Sequence, residues 1–238
     1  MKVKATVCAI LPGLFASLPV GAQTWINDQS PATIVELFTS EGCSSCPPAE
    51  DKLNQLKSSK GLWTLVIPLA FHVDYWNYIG WKDRFSKRDY SDRQREKVSA
   101  GQAKGVYTPG WFINNQEWRG FFARQKVPFA SGSKAGILKA SLDDQSLTVN
   151  YDQPRNYTVN IALLAMNEST EVKRGENAGR SLEHEFIVVD FASYYGKNEW
   201  QHTISNELSA QPDAVAVWLE QSGSNDPVQT VAGLINRP

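Results

Sequence analysis

Two cysteines separated by two serines, in Glu41-Gly42-Cys43-Ser44-Ser45-Cys46-Pro47-Pro48, constrain this chain more than any other feature. The apolar run Thr33-Ile34-Val35-Glu36-Leu37-Phe38 leads into them, and an amphipathic run, Ala49 to Lys57, leads out. The order is therefore strand, Cys-x-x-Cys, helix. A thiol at a helix N-terminus meets unpaired N–H groups and the positive end of the helix dipole. Such placement can lower a thiol pKa from about 8.5 to roughly 3.5–7.5, and the thiolate is the reactive form. Pro47 and Pro48 suit a first helical turn, where no N–H partner is needed. Ala49, Leu53 and Leu56 recur at helical spacing and form one buried face.

The chain begins like an exported one. Lys2 and Lys4 precede a mostly apolar run from Val7 to Val20, and Val20-Gly21-Ala22 is a small-residue cleavage site. Residues 1–22 thus read as a signal peptide, and the expected location is periplasmic or secreted. Cleavage leaves 216 residues, with Cys43 and Cys46 as the only cysteines and the net charge moved from −1 to −3. Those two thiols can serve each other, a partner or a metal. Nothing in the charge pattern suggests nucleic acid, and no stretch of the mature chain is long and apolar enough to span a bilayer.

Leu62 to Val73 predicts a central strand, apolar almost throughout, with Pro68 marking a bulge or an edge. It delivers His72 and Asp74 at its carboxyl end, where open α/β sheets gather ligands. With Glu36 these two are candidates for a proton relay to the thiols; the alternative is a histidine and an aspartate that fix a loop. Tyr75-Trp76-Asn77-Tyr78-Ile79-Gly80-Trp81 is either a recognition wall or a loop packed on its own rings. A charged helix is expected from about Asp92 to Ala103. Gly105-Val106-Tyr107-Thr108-Pro109-Gly110 then opens a β-run, with a second strand from Glu117 to Phe122 and a short helix over Ser131 to Lys139.

Beyond residue 140 the pattern changes. Leu147 to Tyr151, Tyr157 to Met166, Phe186 to Phe191, Gln201 to Ser205 and Ala214 to Glu220 read as strands between polar turns, which predicts an antiparallel sandwich. The Gly-rich stretch Arg174 to His184, with Arg174, Glu176, Arg180 and His184, either closes over the thiol site or binds an anionic group, or else forms a hairpin solvated by its own charges.

Strand, Cys-x-x-Cys, helix, strand, helix and then Gly-x-x-x-Pro before a β-run resembles the thioredoxin fold over roughly residues 32–140. The resemblance implies that Pro109 follows a cis bond and packs against the cysteines. It also implies that the backbone of Thr108 pairs with a substrate peptide, with Trp76 and Tyr107 as candidates for substrate contact. Pro47 departs from that pattern by replacing a basic residue, and Glu36 lies out of register with the buried acid of thioredoxins. Val35 to Glu50, His72-Val73-Asp74-Tyr75-Trp76, Tyr107-Thr108-Pro109 and Arg174 to Arg180 are similar to a family of exported bacterial thioredoxin-like proteins catalogued as a domain of unknown function. The expected architecture is an α/β thioredoxin-like domain over 23–140 followed by an all-β, sandwich-like domain over 141–238.

Three functions compete. In a thiol–disulfide oxidoreductase, Cys43 attacks, Cys46 resolves, and Thr108 and Pro109 position the partner. The partners are then a protein thiol or disulfide substrate and a second redox protein, and no cofactor is called for. In a copper- or zinc-handling protein, Cys43 and Cys46 join His72 or His184 in a sulfur-rich site. In a non-catalytic binding module the disulfide is structural. Closing so short a loop contributes only about 2 kcal/mol, against about 4.7 for a hundred-residue loop, which counts against a stability staple.

Overall fold

The computed structural model describes residues 22–129, 133–221, 224 and 226–236. Apart from Ala22, the expected signal peptide lies outside the described residues. β1 (Gln23–Asn27) and β2 (Thr33–Thr39) precede α1 (Pro47–Asn54), β3 (Val66–His72) and α2 (Arg88–Ser99). β4 (Gly110–Ile113), β5 (Gln116–Glu117), β6 (Leu138–Asp143), β7 (Ser146–Tyr151) and β8 (Asn156–Ala165) follow. The chain ends with β9 (Glu168–Glu171), β10 (Ser181–His184), β11 (Ile187–Lys197), β12 (Glu199–Thr203), β13 (Ala214–Glu220) and β14 (Gln229–Leu234).

These strands form an eight-stranded sheet in the order β14-β13-β8-β11-β3-β2-β4-β5, a four-stranded sheet β1-β6-β7-β12, and the β9–β10 hairpin. β2 and β3 run parallel, from Thr33 opposite Val66 to Thr39 opposite His72. Every residue of both strands is buried, as their near-continuous apolar sequence requires of strands covered on both faces. Val35 and Leu37 pack on one face with Ala49 and Leu53 of α1. Ile34 and Phe38 pack on the other with Tyr90 of α2. The four-stranded sheet lies against the far half of the large one. Its Leu138, Ala140, Leu147 and Val149 share a core with Val159, Ile161 and Leu163 of β8 and with Val215 and Val217 of β13.

The expected fold class is corrected here. The protein is mostly β, with only two α-helices among the described residues, and it does not follow an α/β thioredoxin-like pattern with a separate sandwich behind it. A sandwich of two sheets is present, but its larger sheet takes strands from both sides of residue 140. β11 is the reason. It pairs antiparallel with β8 over most of its length and meets β3 in parallel, Ile187 opposite Ala70. Phe186 to Val189 is fully buried and apolar, so this stretch needs a neighbour on each edge, and β3 supplies the second. Local differences follow the same logic. The charged helix starts at Arg88 rather than Asp92. Glu117 to Phe122 holds only the end of a two-residue strand, and residues 133–137 are not helical.

Candidate functional site

Cys43 and Cys46 sit in the turn between β2 and α1, and they are unbridged. Cys46 caps α1, its carbonyl accepting from the N–H groups of Ala49 and Glu50 at 2.8 and 3.1 Å. Because Pro47 and Pro48 have no N–H, the helix end offers a thiolate fewer donors than its position suggests. Side chains supply them instead. The Ser45 hydroxyl lies 3.2 Å from Cys43 Sγ. The Cys46 thiol hydrogen-bonds to Cys43; this, with the Ser45 and Thr108 hydroxyls, outweighs burial and brings the Cys43 pKa down from 9.0 to about 6. Burial, then the neighbouring Cys43 sulfur, pushes the Cys46 thiol well above its ordinary value, and the Glu50 carboxylate adds to this. The pair is thus asymmetric in the sense that exchange chemistry uses.

Thr108 is held for this purpose. Trp76 Nε1 donates to Thr108 Oγ1 at 2.7 Å, so the threonine proton remains available for sulfur. Gln94 Nε2 donates to the Tyr107 carbonyl at 2.7 Å and fixes the same loop from α2. A Cβ at Gly110 would stand 2.8 Å from both of those atoms, which explains glycine there. The Thr108–Pro109 peptide is cis. Tyr107, Thr108, Pro109, Ser45, Pro48 and Phe122 line a groove of about 520 Å³ beside the thiols, with Phe122 52% exposed.

Cys43 is not the exposed thiol that its position before a helix suggests; it is only 1% accessible, against 0% for Cys46. The stretch between β9 and β10 bonds to the backbone on either side of it. Asn177 Nδ2 donates to the carbonyls of Glu41 at 2.8 Å and Cys43 at 3.0 Å, and Glu176 accepts from the Ser44 N–H at 3.1 Å. The Arg174 to His184 stretch runs into the paired β9–β10 hairpin and bonds to the backbone of the turn that carries Cys43. Gly175, at φ +77°, lets this loop pass Trp81, whose Cβ would be 3.3 Å from an added Cβ.

The three residues expected to form a relay do not come together. Glu36 points to α2, where it is ion-paired with Arg93 and with Lys97 at 2.5 Å. Asp74 accepts from the Ser91 hydroxyl, which in turn accepts from the Asp74 N–H at 3.0 Å. His72 does face the thiol side of the sheet. Its Nδ1 lies 2.8 Å from Asp83 Oδ2, and its ring is 5.3 Å from that of His184. His184 Nδ1 lies 2.6 Å from Glu50 Oε2, and Thr39 donates to the other Glu50 oxygen. Burial would depress His184, but the carboxylates of Glu50 and Glu41 outweigh it and lift the imidazole to about 10. The aromatic run is not a continuous wall. Tyr75, Trp76 and Trp81 hydrogen-bond inward to Gln94, Thr108 and Glu41, while Tyr78 is 81% exposed.

Sequence reasoning missed Glu50, Asp83 and Asn177. Glu50 reads as an ordinary acid near a helix start, although its place four residues after Cys46 sets it on the same helix face. Asn177 lies within the Gly-rich stretch singled out above, but no local pattern assigns its partners. Among the described residues, the ligand-type side chains brought within range of one another are Glu50, His72 and His184; neither cysteine belongs to that set.

The family described as "Protein of unknown function (DUF1223)" matches residues 34–220, which takes in the dithiol, the Thr108–Pro109 loop and the covering stretch. No curated protein matches the chain. The crystal structure of protein AGR_C_4864 from Agrobacterium tumefaciens is similar at TM-score 0.57 and 24% identity, over 88% of this chain and 96% of that one. HBP35 of Porphyromonas gingivalis is more distant, at TM-score 0.48 and 12% identity over 86% of this chain and 75% of that one. The first similarity extends to the fold alone.

Proposed function

Starting from the premise that the chain belongs to the DUF1223 family of proteins of unknown function, we propose that it is a thiol–disulfide exchange protein acting through Cys43 and Cys46. The opposed environments of the two thiols carry this reading: Cys43 at about 6 and Cys46 raised well above its ordinary value. Near neutral pH Cys43 is the thiolate and Cys46 the protonated partner. The Cys43 thiolate attacks one sulfur of a protein disulfide. That S–S bond breaks, a mixed disulfide forms, and the leaving thiolate takes up a proton. Cys46 then loses its proton and attacks Cys43. The Cys43–Cys46 disulfide forms, and the partner leaves with its second sulfur reduced. Two electrons pass to the partner, and the reverse sequence oxidises a dithiol. The groove flanked by Tyr107, Pro109 and Phe122 suits an extended segment of the partner beside Thr108, and the Cys43 cover must shift to admit it. The N-terminal pattern favours export to an oxidising compartment, where such chemistry has substrates.

The test is trapping. Cys46→Ala, expressed with its leader, is expected to accumulate reducible high-mass adducts on non-reducing gels, whereas Cys43→Ala accumulates far fewer. Equal trapping by both would reverse or erase the assignment of the nucleophile, and no adduct with either would remove the exchange reading.

A further inference from the structure

Behind the dithiol, three elements turn ligand-type side chains into one closed space. Glu50 comes from α1, His72 from the end of β3, and His184 from the end of β10. They are 5%, 0% and 1% exposed. Each offers one donor atom, and the three atoms lie within 4.8 Å of one another. Two features separate this cluster from a set of ion pairs. Among the described residues, neither His72 Nε2 nor His184 Nε2 has a hydrogen-bond partner, although both are fully buried. A buried imidazole nitrogen without a partner costs free energy unless something occupies its lone pair or its proton. Glu41 Oε1 stands 3.4 Å from His184 Nε2, an ion-pair distance beyond that of a hydrogen bond.

The second feature is the outer ring of contacts. Asp83 holds His72 Nδ1 at 2.8 Å, and Asp83 is itself fixed by the N–H groups of Glu41 and Phe85, both at 2.9 Å. That contact makes Nδ1 a donor and leaves Nε2 as the ring nitrogen without a hydrogen-bond partner, the carboxylate–histidine arrangement that orients metal ligands. Thr39 anchors Glu50 in the same manner. Two imidazoles and one carboxylate are a donor set for zinc and ions like it. Ligands about 2.0–2.1 Å from a tetrahedral ion sit roughly 3.3 Å apart, inside the 4.8 Å within which the three donor atoms lie.

We propose that Glu50, His72 and His184 bind one divalent transition cation of the zinc class, as a closed site behind the dithiol. A cation there takes the place of a ring proton in the cluster. It ties α1 and β3 to β10, and so secures the hairpin whose Asn177 bonds to the Cys43 carbonyl. The site uses no sulfur, although Glu50 also acts on the Cys46 thiol.

The test is cobalt and zinc titration of the full chain, expressed with its leader, stripped by chelator in urea and refolded with each ion. One Co²⁺ per chain is expected, with visible d–d bands and no sulfur-to-cobalt charge-transfer band. Zn²⁺ should raise the thermal midpoint. Cys43→Ser/Cys46→Ser is expected to bind as tightly as the wild type. His72→Ala and His184→Ala should each weaken binding at least 100-fold, and Asp83→Asn by roughly 10–100-fold. Glu50→Gln, which keeps the side-chain volume, provides the same readout should a histidine variant misfold. Uptake below one equivalent by the wild type overturns the proposal, as does binding lost in the cysteine double variant or retained in Glu50→Gln.

Discussion

Glu36 and Glu50 are both buried carboxylates, on opposite faces of the same sheet, and the protein treats them differently. Glu36 faces α2, where Arg93 Nε donates at 3.0 Å and Lys97 closes the other oxygen at 2.5 Å. Lys97 also reaches Asn115, and the Arg93 guanidinium lies 4.6 Å from the centre of the Phe191 ring. Burial alone would raise Glu36, but these two cations outweigh it and hold the carboxyl below its ordinary range. Glu50 faces the thiols and is met by imidazole and hydroxyl instead. The Arg93 guanidinium keeps its proton at any ordinary pH, and Glu36 opposes the burial that lowers Lys97, so the Glu36 cluster is a clamp. Imidazoles exchange protons and bind metals, so the Glu50 cluster has chemistry open to it. Identical side chains therefore have different uses because of what the opposite faces of one sheet present to them.

The largest expected difference is in stability. Glu36→Ala leaves Arg93 and Lys97 buried without their counter-ion and should cost about 3–5 kcal/mol in urea denaturation. The thiolate titration of Cys43 should not move in the molecules that remain folded. A shift in that titration would mean that the two faces communicate, and the contrast between clamp and reactive cluster would fail.

On the thiol face, Thr108→Val removes a hydroxyl that donates to the Cys43 sulfur. Hydrogen bonds to charged groups contribute about 1.5–3 kcal/mol, equivalent to roughly one to two pKa units. Alkylation of the reduced wild type should rise with pH through about 6, as thiol becomes thiolate. The variant's profile should lie one to two units higher by that conversion. The groups facing Cys43 in this titration are Cys46, Ser45 and Thr108, with Glu176 at the neighbouring Ser44 N–H. Trp76→Phe should shift the profile in the same direction by less, because it acts through Thr108. An unchanged profile in Thr108→Val would assign the lowered pKa to the Cys46 thiol and Ser45.

The smallest effect is expected at the cover. Asn177→Ala breaks two hydrogen bonds to buried carbonyls and should cost about 1–2 kcal/mol. Iodoacetamide should then reach Cys43 several times faster at fixed pH, with the titration midpoint unmoved. A slower reaction would show that Asn177 organises the nucleophile rather than covering it.

Much of the site was legible in the sequence. Cys43, Cys46 and the Thr108–Pro109 loop stand out because their chemistry is local: thiols at a turn into a helix, and a proline before a strand. β13 was read at its full extent, Ala214–Glu220, and β7 and β8 to within a residue or so, since branched residues in short runs mark strands wherever they pair. The sheet assignment was not legible. Nothing in Phe186 to Phe191 says that its second neighbour is β3, more than a hundred residues earlier. The split into an α/β unit and a sandwich therefore failed at that strand. β1 and β14 were missed altogether, being short and poorly patterned until paired.

The sequence by itself determined which groups can do chemistry here: two thiols in the mature chain, three histidines, and a proline–threonine loop spaced to reach the thiols. Side-chain identity and local backbone preference are enough for that. Only the tertiary structure decided which of them meet. It sent Glu36 and Asp74 away from the thiols, brought His184 from the far end of the β9–β10 hairpin to His72 and Glu50, and bonded Asn177 to the Cys43 carbonyl. The contacts of His184 and Asn177 span more than a hundred residues of chain and depend on the pairing of β11 with β3 and on the path of one loop. Local sequence patterns report periodicity and propensity over a few turns, and they contain no term for either.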